Sequence, residues 1–257
     1  MEPKINLLFV LGLGRSGSTL LGRLLDNHPD VAGVGELLRL DRVVDTPGSK
    51  CSCGLLASEC AVLLRQFEGI PDSVKRNYMK WTPALLNRVR ENAGKKVLVD
   101  VSKTRSYRLA KSWTDPKCGF ILLLRDPRGI FRSRVAEKDD LVDRLKFHKK
   151  WIKRYASFAR KRKERCLVMH YEDLVSAPEE SMRKICSFIG IDFLPVMIAP
   201  ESKVNHLAVY SGSSYLKGTG TLKLDERWRH EMRQDDIDCI AKRLKSVPLY
   251  NDRYFTR

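Results

Sequence analysis

Short apolar runs alternate with longer amphipathic segments along most of this chain. The runs are each of strand length and lie at residues 5–11, 31–34, 96–101, 120–124 and 166–169. Such alternation predicts an α/β fold, with a parallel central sheet flanked by helices on both faces. No internal repeat or long linker interrupts the 257 residues, so we predict a single domain over residues 1–257.

Two regions of the chain are predicted to be mainly helical. A mostly helical, polar region covers residues 55–90, and a long amphipathic helix is predicted over residues 141–165. Leu141, Leu145, Ile152 and Tyr155 form its apolar stripe, whereas its opposite face is rich in lysine and arginine. That basic face is either a solvated surface or a docking face for a polyanion.

The formal net charge of +17 is high and favours an anionic partner, such as a nucleotide, an acidic or sulfated substrate, nucleic acid or a membrane surface. No segment approaches the roughly 20 apolar residues of a membrane span. The first strand follows Met1 almost at once, which leaves no room for a signal peptide. We therefore expect a cytoplasmic protein with reduced thiols.

A glycine-rich turn follows the first predicted strand and contains Gly12, Gly14 and Gly17. The N–H groups at the start of the next helix and the positive end of its dipole predict a phosphate site. The Walker A spacing would require lysine at position 18, where this chain has Ser18, and this argues against a triphosphate. The dinucleotide fingerprint also fits poorly, because bulky Arg15 would block close backbone approach. Side-chain donors surround the turn instead, namely Arg15, Ser16, Ser18 and Thr19.

The chain has seven cysteines, and they fall into two groups. Cys118, Cys166, Cys186 and Cys239 border or lie within apolar runs, and we interpret them as core residues. Cys51, Cys53 and Cys60 cluster in a polar stretch. Two of these thiols can form a disulfide, or all three can hold a metal together with a fourth ligand. No neighbouring histidine completes a zinc signature there, so we expect no bound metal.

Polar residues follow the predicted strands, at the sheet edge where α/β proteins place their chemistry. Glu36 follows the second strand, Lys103 the third and Arg125 the fourth. Pro127 is suited to begin a helix, with Asp126 as its cap, and Ser133 would lie about two turns into that helix. Arg125 and Ser133 are thus predicted to reach a second phosphate.

Two of these motifs, in this order, resemble those of sulfotransferases that use 3′-phosphoadenosine 5′-phosphosulfate (PAPS). Residues 15–19 (R-S-G-S-T) are similar to the family loop R-S-G-[ST]-T, which holds the 5′-phosphosulfate. Arg125 in R-D-P-R, with the later Ser133, is similar to the family motif that holds the 3′-phosphate. The resemblance covers most of the chain and implies a P-loop NTPase-like sulfotransferase fold, with PAPS as co-substrate.

Shorter segments extend the resemblance. Gly35-Glu36 is similar to a segment of tyrosylprotein sulfotransferases and their bacterial relatives, whose glutamate is the catalytic base. Lys103 begins a segment similar to K-[ST]-P-x-Y of glycan sulfotransferases, whose lysine contacts the transferring sulfonate, although Arg105 replaces the proline. Tyr171 begins a Y-E-D-L segment of the family. The late Lys-Gly loop that closes over the 3′-phosphate corresponds to Lys217 and Gly218, with Leu216 where the family has arginine.

The resemblance assigns Arg15, Lys103 and Glu36 to catalysis. The chain has no histidine between His28 and His148, so Glu36 is the leading candidate for the base and His206 the alternative. Sulfuryl transfer to a hydroxyl of a small metabolite or glycan, with release of adenosine 3′,5′-bisphosphate, is the expected reaction. A P-loop nucleotide or small-molecule kinase and a non-catalytic polyanion-binding module stay open as alternatives. We expect no nucleic-acid partner, and the acceptor and oligomeric state are left undetermined.

Overall fold

The computed structural model describes residues 2–133, 140–199, 206, 222–247 and 249–255. Its centre is a five-stranded parallel sheet with the order β2-β3-β1-β4-β5. The strands are β1 (Leu7–Leu11), β2 (Val31–Gly33), β3 (Val97–Asp100), β4 (Cys118–Leu124) and β5 (Cys166–His170). All five predicted strands are therefore confirmed, with ends that differ by one or two residues.

Helices cover both faces of the sheet, as the alternating pattern predicts. Between β1 and β4 they are α1 (Ser18–Asp26), α2 (Leu40–Asp45), α3 (Ala61–Gln66), α4 (Asp72–Lys75), α5 (Pro83–Asn92) and α6 (Thr104–Ala110). After β4 they are α7 (Pro127–Arg132), α8 (Leu141–Lys161), α9 (Tyr171–Ser176), α10 (Pro178–Ile189), α11 (Trp228–Glu231), α12 (Gln234–Leu244) and α13 (Asn251–Tyr254). Short 3-10 turns lie at Leu37–Arg39, Tyr78–Lys80 and Pro195–Ile198.

The hydrophobic core consists of two layers separated by the sheet. Successive strand side chains point to opposite faces, so Leu7, Phe9 and Leu11 belong to one layer while Leu8 and Val10 belong to the other. Every residue of β1 and β4 is buried. This two-sided burial explains why these strands are continuous apolar runs without polar alternation.

The long helix α8 is shorter than the sequence predicts. It ends at Lys161, and the chain then turns so that Arg165 accepts a hydrogen bond from Phe120 N–H at 2.8 Å. Pairing of β5 with β4 therefore ends the helical pattern before residue 165. The predicted apolar stripe is buried at Leu145, Ile152 and Tyr155, and no helix in the described part of the chain is long and apolar enough to cross a membrane.

The C-terminal helix α13 is anchored beneath the ends of β4 and β5 by a polar network. Tyr254 Oη lies 2.7 Å from a carboxylate oxygen of Glu172 and 2.7 Å from Nδ1 of His170. The other Glu172 oxygen accepts the backbone N–H of Asp126 at 2.9 Å. Burial, followed by the charge of nearby Arg253, lowers the pKa of His170 to about 4.

This network predicts a loss of stability in mild acid. The imidazole of the unfolded chain takes up a proton near pH 6.5, whereas the folded protein resists protonation down to about pH 4, so stability is lost as the pH falls through that window. Allowing for solvent screening at this partly exposed site, we expect a contribution of about 1–2 kcal/mol. Urea unfolding at pH 7.0 and 4.5 should show a smaller pH dependence for His170→Gln than for the native chain. A matched substitution of exposed His230 by Gln is the control, and identical pH dependence in all three proteins would contradict the prediction.

Candidate functional site

The turn between β1 and α1 is the candidate anion-binding turn. Arg15 and Gly17 both have positive φ angles, of 71° and 91°. A Cβ atom on Gly12 would lie 2.7 Å from the carbonyl oxygen of Leu123, and one on Gly17 would lie 2.5 Å from the ring of Tyr171. The turn is therefore packed tightly against the end of β4 and the start of α9, and only glycine fits at these two positions.

Unused hydrogen-bonding groups face this turn. Gly17 is the N-cap residue of α1, and having no side chain it makes no side-chain hydrogen bond to the start of the helix. Its first N–H groups are consequently available to an anion. Ser16 is buried, and its hydroxyl oxygen has no hydrogen-bond partner among the described residues. A buried polar group without a partner costs free energy, which a bound phosphate would recover by accepting its proton.

Arg125 connects the turn to the end of β4, as its position in the sequence predicts. Its Nη1 donates to the carbonyl oxygen of Arg15 at 2.9 Å, and its guanidinium lies 4.4 Å from the centre of the Tyr171 ring. Its Nη2 donates to Asp225 Oδ2 at 3.0 Å. Hydrogen bonds from Arg227, together with the nearby Arg125, hold the pKa of Asp225 well below its usual range. The buried guanidinium thus already has an anionic partner from the C-terminal part of the chain.

Ser133 lies at the C-terminal end of α7. Helix α7 begins at Pro127 with Asp126 as its cap, as predicted, because the Asp126 carboxylate accepts the N–H of Arg128 at 2.8 Å. The helix ends at Arg132 and Ser133 is its C-cap residue, about two turns after the start of the helix, as predicted. The Ser133 hydroxyl donates to the carbonyl oxygen of Ile130 at 2.9 Å, which gives a hydrogen-bond partner to one of the carbonyl groups in the last turn of the helix.

Two residues predicted to act in catalysis lie side by side. Lys103 Nζ is 2.5 Å from Glu36 Oε1, and Arg39 Nε donates to the other Glu36 oxygen at 3.0 Å. Burial acts to raise the pKa of Glu36, but the charges and hydrogen bonds of Lys103 and Arg39 outweigh it and leave the pKa lower than usual. Glu36 is therefore a carboxylate at neutral pH, and contact with the two cations makes it a weaker proton acceptor than a free glutamate.

The buried carboxylate of Asp100, which the sequence analysis did not single out, connects the segment that carries Glu36 to the segment that carries Lys103. Asp100 accepts hydrogen bonds from the hydroxyls of Ser102 at 2.5 Å, Tyr78 at 2.8 Å and Ser106 at 2.9 Å. It also accepts the N–H of Leu37 at 3.3 Å, next to Glu36. The signal in the sequence was an aspartate at the end of an otherwise apolar strand.

The backbone at Lys103 is strained. Its φ angle of 58° lies in the left-handed region, which a lysine rarely adopts, and α6 begins at the next residue. Such strain persists only where the surroundings enforce it, and here the hydrogen bonds of Ser102 and Ser106 to Asp100 fix the residues on both sides. The strained backbone accompanies the contact of the ammonium group with Glu36.

Helix α8 is hydrogen-bonded to the turn that follows β1. Buried Tyr155 donates to the carbonyl oxygen of Gly12 at 3.0 Å, and its oxygen lies 3.1 Å from Oγ1 of Thr104. A tyrosine from the apolar stripe therefore links the anion-binding turn to the helix that follows Lys103. The basic residues of α8 lie on other faces of the helix.

The remaining predicted residues lie in the cysteine cluster, in the core or outside the described residues. His206, the alternative base, has its Nδ1 atom 3.2 Å from the sulfur of Cys60 and 3.9 Å from that of Cys51. It therefore contacts the cysteine cluster. Lys217 and Gly218 lie outside the described residues. Cys118, Cys166 and Cys186 are buried in the core, as predicted, and Cys239 is partly exposed.

Comparison with known proteins gives one family. The sequence profile of the Sulfotransferase family matches residues 8–195. The chain is 28% identical over 211 residues to protein-tyrosine sulfotransferase of Drosophila melanogaster, covering 77% of this chain and 41% of that protein. It is 28% identical over 260 residues to protein-tyrosine sulfotransferase 2 of Gallus gallus, covering 96% and 65%. Carbohydrate sulfotransferase 4 of Mus musculus is 24% identical over 305 residues, with 91% and 78% covered.

The chain spans less than half of the fly protein and about two thirds of the chicken protein. Solved structures agree in fold. The sulfotransferase domain of the Synechococcus PCC 7002 olefin synthase has a TM-score of 0.58 at 23% identity, covering 94% of this chain and 96% of that one. Mouse sulfotransferase SULT7A1, solved with PAP, has a TM-score of 0.56 at 15% identity, covering 97% and 85%. Because the family profile extends from the first strand to the turn at Pro195–Ile198, this protein belongs to the sulfotransferase family.

Proposed function

We propose that this protein transfers a sulfuryl group from PAPS to a hydroxyl of a small metabolite or glycan and releases adenosine 3′,5′-bisphosphate (PAP). The observation that carries this proposal is the start of α1, where Gly17 provides no side-chain cap, beside the buried, unpartnered hydroxyl of Ser16. A 5′-phosphosulfate at this position would accept hydrogen bonds from the turn, from Ser16 and from the residues that begin α1. The family and the fold support the same reaction.

The residues around the turn have separate parts in the proposed reaction. An acceptor oxygen attacks sulfur as the bond from sulfur to the bridging phosphate oxygen breaks, and the leaving phosphate gains negative charge. Arg15 and the N–H groups of the turn stabilise that charge, while Lys103 contacts the sulfonate and the bridging oxygen. The proton of the acceptor hydroxyl passes to Glu36.

The contact between Lys103 and Glu36 suggests how the base becomes stronger when substrate binds. In the unliganded protein the ammonium group is 2.5 Å from the carboxylate and helps to keep the pKa of Glu36 low. A sulfonate would compete for Lys103 and weaken its attraction for Glu36. The carboxylate would then be a better proton acceptor once PAPS is in place.

Arg125 and Ser133 are proposed to hold the 3′-phosphate. The guanidinium of Arg125 is already oriented by the backbone of Arg15 and by the ring of Tyr171. For it to bind phosphate, Asp225 must move away or share the guanidinium, and the Ser133 hydroxyl must leave Ile130. Asp225 therefore mimics the anion in the unliganded protein.

The kinase alternative receives less support from the site. Ser18 occupies the Walker lysine position and is buried, so no ammonium group comes from this position to reach β- and γ-phosphates. The relatives named protein-tyrosine and carbohydrate sulfotransferases indicate hydroxyl acceptors of two kinds. We retain a small metabolite or glycan as the acceptor.

The two proposed phosphate sites predict nucleotide selectivity. PAP should bind more tightly than AMP, and Arg125→Ala should remove most of this preference while changing AMP affinity little. A charge-assisted hydrogen bond is worth about 1.5–3 kcal/mol, so PAP affinity should fall roughly 10- to 100-fold. Isothermal titration calorimetry measures both nucleotides, and the exposed Arg229→Ala variant is the control. Equal affinity of the native protein for PAP and AMP would rule out the second phosphate site.

The role of Glu36 predicts a selective loss of turnover. Glu36→Gln keeps the size of the side chain but cannot take a proton, so kcat should fall roughly 10²–10⁴-fold while PAP affinity stays near the native value. Steady-state kinetics with a hydroxylated acceptor, together with PAP calorimetry, separates the two effects. Glu179→Gln, on the exposed face of α10, is the control. Turnover near the native rate in Glu36→Gln would assign the base elsewhere.

The proposed acceptor class predicts little dependence on the basic face of α8. Lys150, Lys153 and Lys161 are exposed on that helix, so reversing all three to Glu should change kcat/KM only a few-fold. Docking of a polyanion would instead release many counterions and depend steeply on salt. Kinetics at low and high salt distinguish the cases. A loss of acceptor binding of about a hundredfold would point to a polyanionic acceptor.

A further inference from the structure

Three cysteines and one histidine that the proposed reaction does not use lie together, with Cys51 and Cys60 buried in one layer of the hydrophobic core. Cys51 and Cys53 belong to the turn after α2, and Cys60 immediately precedes α3. His206 comes from a position 146 residues after Cys60. The three sulfurs and one imidazole nitrogen all lie within 4.8 Å of one another.

Three of the separations are close to the edges of a tetrahedron around zinc. With Zn–S bonds of about 2.3 Å and Zn–N bonds of about 2.0 Å, neighbouring sulfurs lie about 3.8 Å apart and a sulfur and nitrogen about 3.5 Å apart. Here the sulfurs of Cys53 and Cys60 are 3.8 Å apart. His206 Nδ1 is 3.2 Å from Cys60 Sγ and 3.9 Å from Cys51 Sγ. The four groups are therefore spaced for one shared ion.

A disulfide or plain core packing accounts for the cluster less well. The distance between Cys53 and Cys60 sulfurs is well beyond the bond length of about 2.05 Å in a disulfide. Cysteines that only fill the core, such as Cys118 and Cys166, lie within apolar strands. The cluster instead converges on a point to which a histidine from a distant segment also contributes its ring nitrogen.

A tight hydrogen-bonded turn brings Cys51 and Cys53 together. Cys51 N–H donates to the carbonyl oxygen of Leu55 at 2.9 Å, and the N–H of Gly54, with a φ of 95°, donates to the carbonyl oxygen of Cys51 at 2.9 Å. These two hydrogen bonds hold the backbone that carries both cysteines in one compact turn.

We propose that Cys51, Cys53, Cys60 and Nδ1 of His206 bind one zinc ion. Binding exchanges the three thiol protons for one Zn²⁺, and the protons are released to solvent. Four protein ligands complete a tetrahedral site and leave no position for substrate, which is typical of structural zinc. The expectation of no metal, drawn from the sequence, depended on the absence of a neighbouring histidine, and the fold removes that reason.

Such an ion would connect two segments that are remote in the sequence. It would hold the turn at 51–60 to His206, which precedes Lys217 by eleven positions. It would also occupy the imidazole nitrogen of His206 and so exclude this residue as the base in the proposed reaction. The zinc proposal is independent of sulfuryl transfer, because a zinc site can be present or absent in either case.

Metal analysis of the full, tag-free chain tests the proposal. After expression with added zinc and dialysis against metal-free buffer, inductively coupled plasma mass spectrometry should find one equivalent of zinc per chain. His206→Ala and Cys53→Ser should each lose most of it. His230→Ala and Cys239→Ser, which alter a histidine and a cysteine outside the cluster, should retain the full equivalent.

A second measurement separates ligand loss from misfolding. Cobalt(II) bound to the native chain should show the intense visible bands of tetrahedral thiolate coordination, with bands that shift in His206→Ala at unchanged far-ultraviolet circular dichroism. A chelator should lower the Tm of the native chain but not that of Cys53→Ser. Zinc-free native protein, a Cys53–Cys60 disulfide found by mass spectrometry, or full zinc retention by His206→Ala would each overturn the assignment.

Discussion

Parallel pairing of β1 with both β3 and β4 is the constraint on which the rest of this structure depends. Phe9 pairs with Asp100 on one side, and Leu11 pairs with Leu122 on the other, so three strands end at one edge of the sheet. The turn after β1, Lys103 and Arg125 then lie at the same edge of the sheet, although about 20 to 110 positions separate them in the chain. Because β1 and β4 are buried on both faces, a one-residue shift in their register would move each side chain into the opposite core layer, and the packing of both layers opposes it.

Two buried charged groups keep the loops at that edge in place. Asp100 satisfies hydroxyls and backbone groups on the segments that carry Glu36 and Lys103. Arg125 does the corresponding work between β4, the backbone of Arg15 and the C-terminal part of the chain. Buried charges are costly unless they are fully paired, and this cost makes each arrangement specific. The groups proposed to act in catalysis are thus positioned before any substrate arrives.

The unliganded site has internal partners for groups that the proposed reaction needs. Lys103 contacts Glu36, Arg125 contacts Asp225 and the Ser133 hydroxyl contacts Ile130, whereas buried Ser16 has no partner among the described residues. An anionic nucleotide must therefore compete with carboxylates that already neutralise the two cations. In the empty protein, pairing with these carboxylates lowers the free-energy cost of keeping the positive charges together. It also makes the basicity of Glu36 depend on whether Lys103 is engaged.

The sequence by itself determined the secondary-structure elements and the family. The five apolar runs, the glycine turn and the R-D-P-R segment predicted the parallel sheet, the anion-binding turn and the capped start of α7, because these depend on local periodicity and turn chemistry. Only the tertiary structure decided which distant groups meet. The pairing of Glu36 with Lys103, the hydrogen bonds to Asp100 and the approach of His206 to three cysteines join residues far apart in the chain. Spacing along a chain carries no information about such contacts, since they are set by the order and register of the strands that bring the loops together.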